Sequence, residues 1–281
     1  MRHRIGIGIV LLWVSGMALA EGPAKAVPEA SMDVTGTIDI DASGVVTGHA
    51  IDHARSIDSA VVKLIDGVLP TWRFEPLPAD GKVHSPRMPM SLLIVAKQVA
   101  DNKFTARIQS AHFGDPDGQP GESVSADRMA PPTYPELVQR SQVVGTIYVA
   151  LRVDRSGHVA EAIAEQVDVG TLDFKQASAR ATQVLTAATL KAARAWTFHP
   201  PTTGKWADAP FWSVRVPICY QMGTSSPAGK WHPYIPGPRQ HIPWLDAKDD
   251  RVAAASPEGM LAGSIESLGL GRQLLSPVGN D

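Results

Sequence analysis

The stretch Gly145-Thr146-Ile147-Tyr148-Val149-Ala150-Leu151-Arg152-Val153-Asp154-Arg155-Ser156-Gly157-His158-Val159 decides the fold. Ile147, Val149, Leu151 and Val153 alternate with Thr146, Tyr148, Ala150 and Arg152. A period of two over eight residues predicts a half-buried β-strand. Asp154-Arg155-Ser156-Gly157 then predicts a hairpin turn, because Asp and Ser side chains accept from nearby N–H groups and Gly takes the φ > 0 position. The return strand is expected over about 159–167, with Glu161 and Glu165 interrupting its apolar face.

The same turn signal stands earlier, as Asp41-Ala42-Ser43-Gly44-Val45-Val46. Further landmarks repeat in the same order. Trp72-Arg73-Phe74-Glu75-Pro76 answers to Trp196-Thr197-Phe198-His199-Pro200, Gly81-Lys82 to Gly204-Lys205, and Met88-Pro89 to Ala209-Pro210. The offset is 113 residues at the first landmark and 124 at the second, so the later copy holds an insertion. Two related units in tandem is the economical explanation.

The later unit reads more completely. Pro135 to Gln142 is expected as a short helix, with proline in its first turn. Leu185, Ala188, Ala192 and Trp196 form one apolar helical stripe, and Pro200 and Pro201 stop that helix. A closing strand alternates, with Trp212, Val214, Val216 and Ile218 on one face and Phe211, Ser213 and Arg215 on the other. Helix, strand, strand, helix, strand predicts a three-stranded antiparallel sheet with helices on one face. The earlier unit is a shorter copy whose first strand starts near Asp33. Its helical stripe is Val61, Ile65, Val68 and Trp72, ended early by Gly67 and Pro70.

These readings give an α+β chain of two tandem small units. The expected divisions are a leader at 1–20, a degenerate unit at 33–112, a linker at 113–132, a second unit at 133–222 and a mostly disordered tail at 223–281. In the leader, Arg2 and Arg4 precede an apolar run, and Ala18-Leu19-Ala20 supplies small residues before Glu21. That is the pattern of a signal peptide cleaved after Ala20, and it predicts export to a periplasm. The run from Ile5 to Ala20 is shorter than the ~20 residues a spanning helix needs. An uncleaved membrane anchor is the alternative.

The 281 residues carry 26 Lys+Arg against 28 Asp+Glu, a net charge of −2, which argues against a nucleic-acid binder. One cysteine, Cys219, excludes an intramolecular disulfide and a cysteine-based zinc cluster. His49 and His53 lack a third ligand at motif spacing, and Asp39, Asp41 and Asp52 suit turn and solvent-facing roles. No nucleophile elbow, phosphate loop or His-Glu-x-x-His occurs. The expectation is therefore no enzyme, no cofactor and no metal. A secreted enzyme of unknown type remains as an alternative.

Tyr134-Pro135, Gly145 opening an alternating strand, Asp154-x-x-Gly157-x-Val159, an Ala-rich helix ending in Trp196-x-Phe198-x-Pro200, and a closing strand together resemble the C-terminal domain of TonB-family energy transducers. The resemblance covers about residues 134–222, and residues 41–96 show it more faintly. It implies a periplasmic domain that grips a short extended peptide of a TonB-dependent outer-membrane receptor or another envelope protein. The implied partner-binding residues are Phe211, Ser213, Val214, Arg215, Val216 and Ile218, on a strand whose bare edge another chain completes. Pro217 lacks an N–H and suits an edge. The sequence departs from the family plan in having a short apolar leader and no long Pro-rich spacer. The resemblance therefore implies binding, and it implies energy coupling only if residues 5–20 stay in the membrane.

Overall fold

The computed structural model describes residues 29–77, 85–101, 103–115, 118–173, 175–222, 229–245, 255–269 and 272–279. The leader and the Gly81-Lys82 turn lie outside the described residues. In chain order the elements are β1 (Glu29–Ile40), β2 (Val46–Ile51), α1 (Ser59–Val68), β3 (Arg87–Ala100), β4 (Lys103–Phe113), β5 (Ser125–Arg128), α2 (Glu136–Arg140), β6 (Val143–Asp154), β7 (Val159–Thr171), α3 (Ala179–Ala193), β8 (Thr197–His199), β9 (Phe211–Tyr220), β10 (His232–Tyr234) and β11 (Glu266–Ser267). The architecture is α+β and mostly strand.

Two antiparallel sheets carry the molecule. The first runs β10-β1-β3-β4, with β2 also beside β1, and the second runs β11-β9-β6-β7. Each sheet packs one face on a helix. Val61, Ile65 and Val68 of α1 join Met32, Val34, Ile38, Leu92 and Ile94 in one core. Ala181, Leu185 and Ala193 of α3 join Ile147, Val149, Leu151, Val214 and Val216 in the other. The side-chain oxygens of Asp58 and Ser178 cap the two helices by accepting from Ala60 N and Ala181 N.

The two turns predicted from Asp-x-Ser-Gly form with matching bonds. Asp41 Oδ1 accepts from the N–H of Ser43 at 2.9 Å and of Val45 at 3.0 Å; Asp154 Oδ1 accepts from Ser156 at 2.9 Å and His158 at 3.0 Å. The carbonyls of Gly44 and Gly157 each accept at 2.8 Å, from Phe74 N and Phe198 N. Both glycines sit at positive φ, 87° and 83°. A Cβ on either would stand 2.1 Å from the carbonyl oxygen of that same phenylalanine. Each landmark Trp is buried and donates its indole N–H to a distant carbonyl, Trp72 to Val278 and Trp196 to Ala130.

Several expectations are corrected. β1 begins at Glu29 rather than Asp33. The segment read as a linker contains β5, which pairs with β8. The buried stripe of α3 is Ala181, Leu185, Thr189 and Ala193, one position on from Ala188 and Ala192. Thr189 is tolerated there because its hydroxyl is bonded to Leu185 O and to the Tyr220 hydroxyl. The second face of β6, expected to be exposed, buries Tyr148 and Ala150.

The tail explains that last difference. Read as mostly disordered, it is instead ordered through 229–245, 255–269 and 272–279 and supplies strands to both sheets. β10 pairs with the start of β1, and Gln240 N donates to Glu165 O on β7 at 2.7 Å. Apolar anchors hold the tail together with these bonds: Tyr234, Ile242 and Met260 are buried, and Ile265, Leu274 and Val278 pack onto the two cores.

Gly157→Ala is expected to lower the unfolding free energy by about 2 kcal/mol or more, through backbone strain and the Phe198 contact. Gly67→Ala, an exposed site in α1 with nothing within 4 Å of the added Cβ, is expected to stabilise by about 0.5–1 kcal/mol. Denaturant unfolding of the two variants checks both signs.

Candidate functional site

β9 was expected to carry the binding edge, and it lies outside β6 in the second sheet. Among the described residues only β11 pairs with its outer side, Glu266 with Arg215 and Ser267 with Val214. Leu268 N donates to Ser213 O at 2.9 Å. In an antiparallel ladder both backbone groups of a residue face the same neighbour. Phe211, Ser213, Arg215, Pro217 and Cys219 therefore aim their backbone groups at the outer edge.

The tail meets that edge at Ser213 and Arg215 and then leaves it. A turn closed by Ser264 N donating to Leu261 O, with Gly263 at φ 76°, carries the chain away before Pro217. Among the described residues, no backbone group pairs with the outer edge at Pro217 or Cys219. Pro217 is buried and has no N–H, so the first outward-facing donor past Arg215 is Cys219 N–H.

The six residues expected to contact a partner fall into different environments. Val214 and Val216 are buried under α3, so only their backbone is near the edge. Ile218 and Phe211 are half-buried, the latter with the Arg152 guanidinium 5.4 Å from its ring centre. The Ser213 hydroxyl accepts from Trp244 Nε1 at 3.1 Å. Arg215, expected on the accessible face, is 0% exposed. Its Nε and Nη2 donate to Glu165 at 2.6 and 2.7 Å, and Arg239 donates to the same carboxylate. A charge is stable there because this fork-on-carboxylate pairing replaces water. Glu165 reaches that face at an irregularity in the β6–β7 register, between Tyr148 and Val149.

The outward faces of both sheets meet across a buried polar layer. Its hub is Glu258, from the tail. The Glu258 carboxylate accepts from Gln109 Nε2 of β4 at 3.1 Å, from Gln166 Nε2 of β7 at 2.9 Å and from the Tyr234 hydroxyl of β10. Its carbonyl accepts from the Ser110 hydroxyl and from His112 Nε2 at 2.7 Å. The other nitrogen of His112 lies 3.5 Å from Glu266 Oε2 on β11. Burial pushes the Asp168 carboxyl up to about 8, and the neighbouring Glu258 adds to the rise, against the lowering bond from Gly237 N–H. Burial raises the Glu266 carboxyl as well, but His112 and Arg215 outweigh it and bring the group below its usual range. Sequence reading missed Gln166, Asp168 and Glu258, which carried no local motif, and took Glu165 only as an interruption of the return strand's apolar face.

The remaining candidates are spread over separate local contacts. His49 pairs with Asp66 at 2.9 Å, while His53 occupies a left-handed turn position. Asp39 holds Arg87. Cys219 is half-buried beside the Thr146 hydroxyl at 3.4 Å, and burial pushes its thiol up, away from a reactive thiolate. A polar cleft of about 200 Å³ is lined by Glu165, Arg239, Gln240, His241 and Ile242, and the Glu165 carboxylate in it is already paired. Among the described residues no group of three or more His, Cys, Asp or Glu could hold a metal, and no helix is long and apolar enough to cross a membrane. No family model, curated protein or solved structure matches this chain.

Asp168 keeps its proton to about pH 8 when folded and releases it near 3.8 when unfolded. Between those values the unfolded chain binds fewer protons, so stability falls as pH rises through the interval. Asp168→Asn imitates the protonated carboxyl. Thermal melts are expected to show wild-type stability declining from about pH 5 to pH 8, with a shallower decline in the variant and a melting point at pH 8 at or above wild type.

Proposed function

We propose that this chain is a non-catalytic, TonB-like binding module of the periplasm, exported by cleavage after Ala20. It takes an extended segment of a TonB-dependent outer-membrane receptor, or of another envelope protein, along the outer edge of β9. The partner strand runs antiparallel and bonds to the backbone of residues 213–219, while the side chains at the strand's ends supply selectivity.

One observation carries this reading. β1, β2 and β3 correspond to β6, β7 and β9 in strand order, and the two Asp-x-Ser-Gly turns share the same bonds. On that correspondence the sequence encodes one small unit twice. The outer edge of β3 is filled by the eleven-residue β4, from Met90 to Ala100. The corresponding edge of β9 receives only the two residues of β11. The filled edge of β3 supports reading the short β9–β11 ladder as the place where a partner strand would add.

Cys219 is the chain's sole cysteine and marks the open end of the edge. Cysteines placed one at a time along the periplasmic N-terminal segment of a TonB-dependent receptor are expected to form oxidant-induced disulfides with it. Reaction should peak at the one position that lies opposite Cys219 and fall away on either side, as a strand added in a fixed register requires. Absence of cross-links at every position, or cross-linking of equal strength along the whole segment, overturns the proposal.

A further inference from the structure

The segment already lying on β9 shows what the edge accepts. Ile265 packs onto the α3-side core. Glu266 stands opposite Arg215 and 3.5 Å from His112. Ser267 faces Val214, and Leu268 N bonds to Ser213 O. The sequence Ile265-Glu266-Ser267-Leu268 thus matches its surroundings residue by residue: an apolar side chain over the core, an acid beside two basic groups, a small residue, and a backbone donor.

We infer that residues 264–268 are a resident pseudo-ligand, and that β9 binds partner segments of the pattern apolar–acidic–small by displacing them. This rests on the strand-addition reading and adds the ligand's chemistry and its internal competitor. Two features equip the segment for displacement. Its ladder is two residues long, whereas the strand it would yield to can continue past Arg215 to Cys219. Its exit turn at Gly263, φ 76°, leaves Leu261 exposed. A tethered competitor acts at an effective concentration of order millimolar, so it sets a threshold that only a longer or better-matched strand overcomes. The acid is the selective element. A partner lacking it leaves Arg215 facing Glu165 and Arg239 without the fourth charge that Glu266 contributes.

A fluorescent peptide of residues 262–269 tests this by anisotropy against the full chain. Leu268→Pro removes the N–H that bonds Ser213 O and is expected to raise peptide affinity about tenfold over wild type. The same peptide with glutamine in place of its acid is expected to bind about tenfold more weakly. A Val214→Cys, Ser267→Cys pair on a Cys219→Ser background staples the segment in place. It is expected to block the peptide when oxidised and admit it when reduced, which makes the variant its own folding control. Equal affinity of wild type and Leu268→Pro, indifference to the acid, or binding to the stapled form overturns the inference. If a receptor segment still cross-links to Cys219 in that case, the strand-addition reading survives without the pseudo-ligand. If neither peptide nor receptor engages β9, both fall.

Discussion

A strand inside a sheet has its N–H and C=O groups met on both sides, and a strand at the rim has them met on one. This chain resolves that constraint differently at its two comparable rims. β3 is flanked along its length by β1 and β4. β9 is flanked fully by β6 and, on its far side among the described residues, by the two-residue β11. The helices, the turns and the buried layer hold β9 in place. The incomplete ladder is what the proposed strand addition would use.

The buried layer between the sheets constrains the same edge from below. Arg215 cannot reach outward because Glu165 holds it, and Glu165 cannot relax because Arg239 holds it too. Such a network favours one arrangement of its members, because each misplaced charge would be left without water or partner. Glu258 extends that logic to the whole molecule. It ties β4, β7 and β10 through one carboxylate, so the tail that crosses the β9 rim is anchored close by at residues 256–258. The strap is therefore rooted on both sides of its β9 contact, at residues 256–258 and again at residues 273–278, where Gln273 O accepts from Glu75 N, Leu275 N donates to Arg73 O and Val278 O accepts from Trp72 Nε1.

Much of the local structure was legible in the sequence. The alternation from Ile147 to Val153 specified β6, and the Asp-Ser-Gly triplets specified two turns, because these signals reside in adjacent residues. Pro217 lacks the N–H an inner strand would need, and it lies buried on β9. The long-range polar pairs were not legible. Glu165 and Arg215 lie fifty residues apart, and Gln166 and Glu258 lie ninety-two apart, so each looks like an ordinary solvated charge or amide until its partner is in place. The tail was misread for the same reason: its order comes from Tyr234, Gly237, Gln240 and Glu258 bonding to distant groups, and polar residues rich in proline and glycine have the composition of disorder. Thr189 displaced the expected α3 stripe because a hydroxyl can be buried when Tyr220 meets it. The accessible face of β9 was misjudged because period two assigns faces without saying what covers each one.

The most direct measurement is the hydrogen-exchange rate of the Cys219 backbone amide in the free protein, read by NMR beside the amides of β3. An open rim predicts exchange near the unprotected rate at Cys219 while the β3 amides bonded to β1 and β4 exchange slowly. Protection of Cys219 equal to that of the β3 interior would mean that another part of the chain completes the ladder, and it would contradict the account.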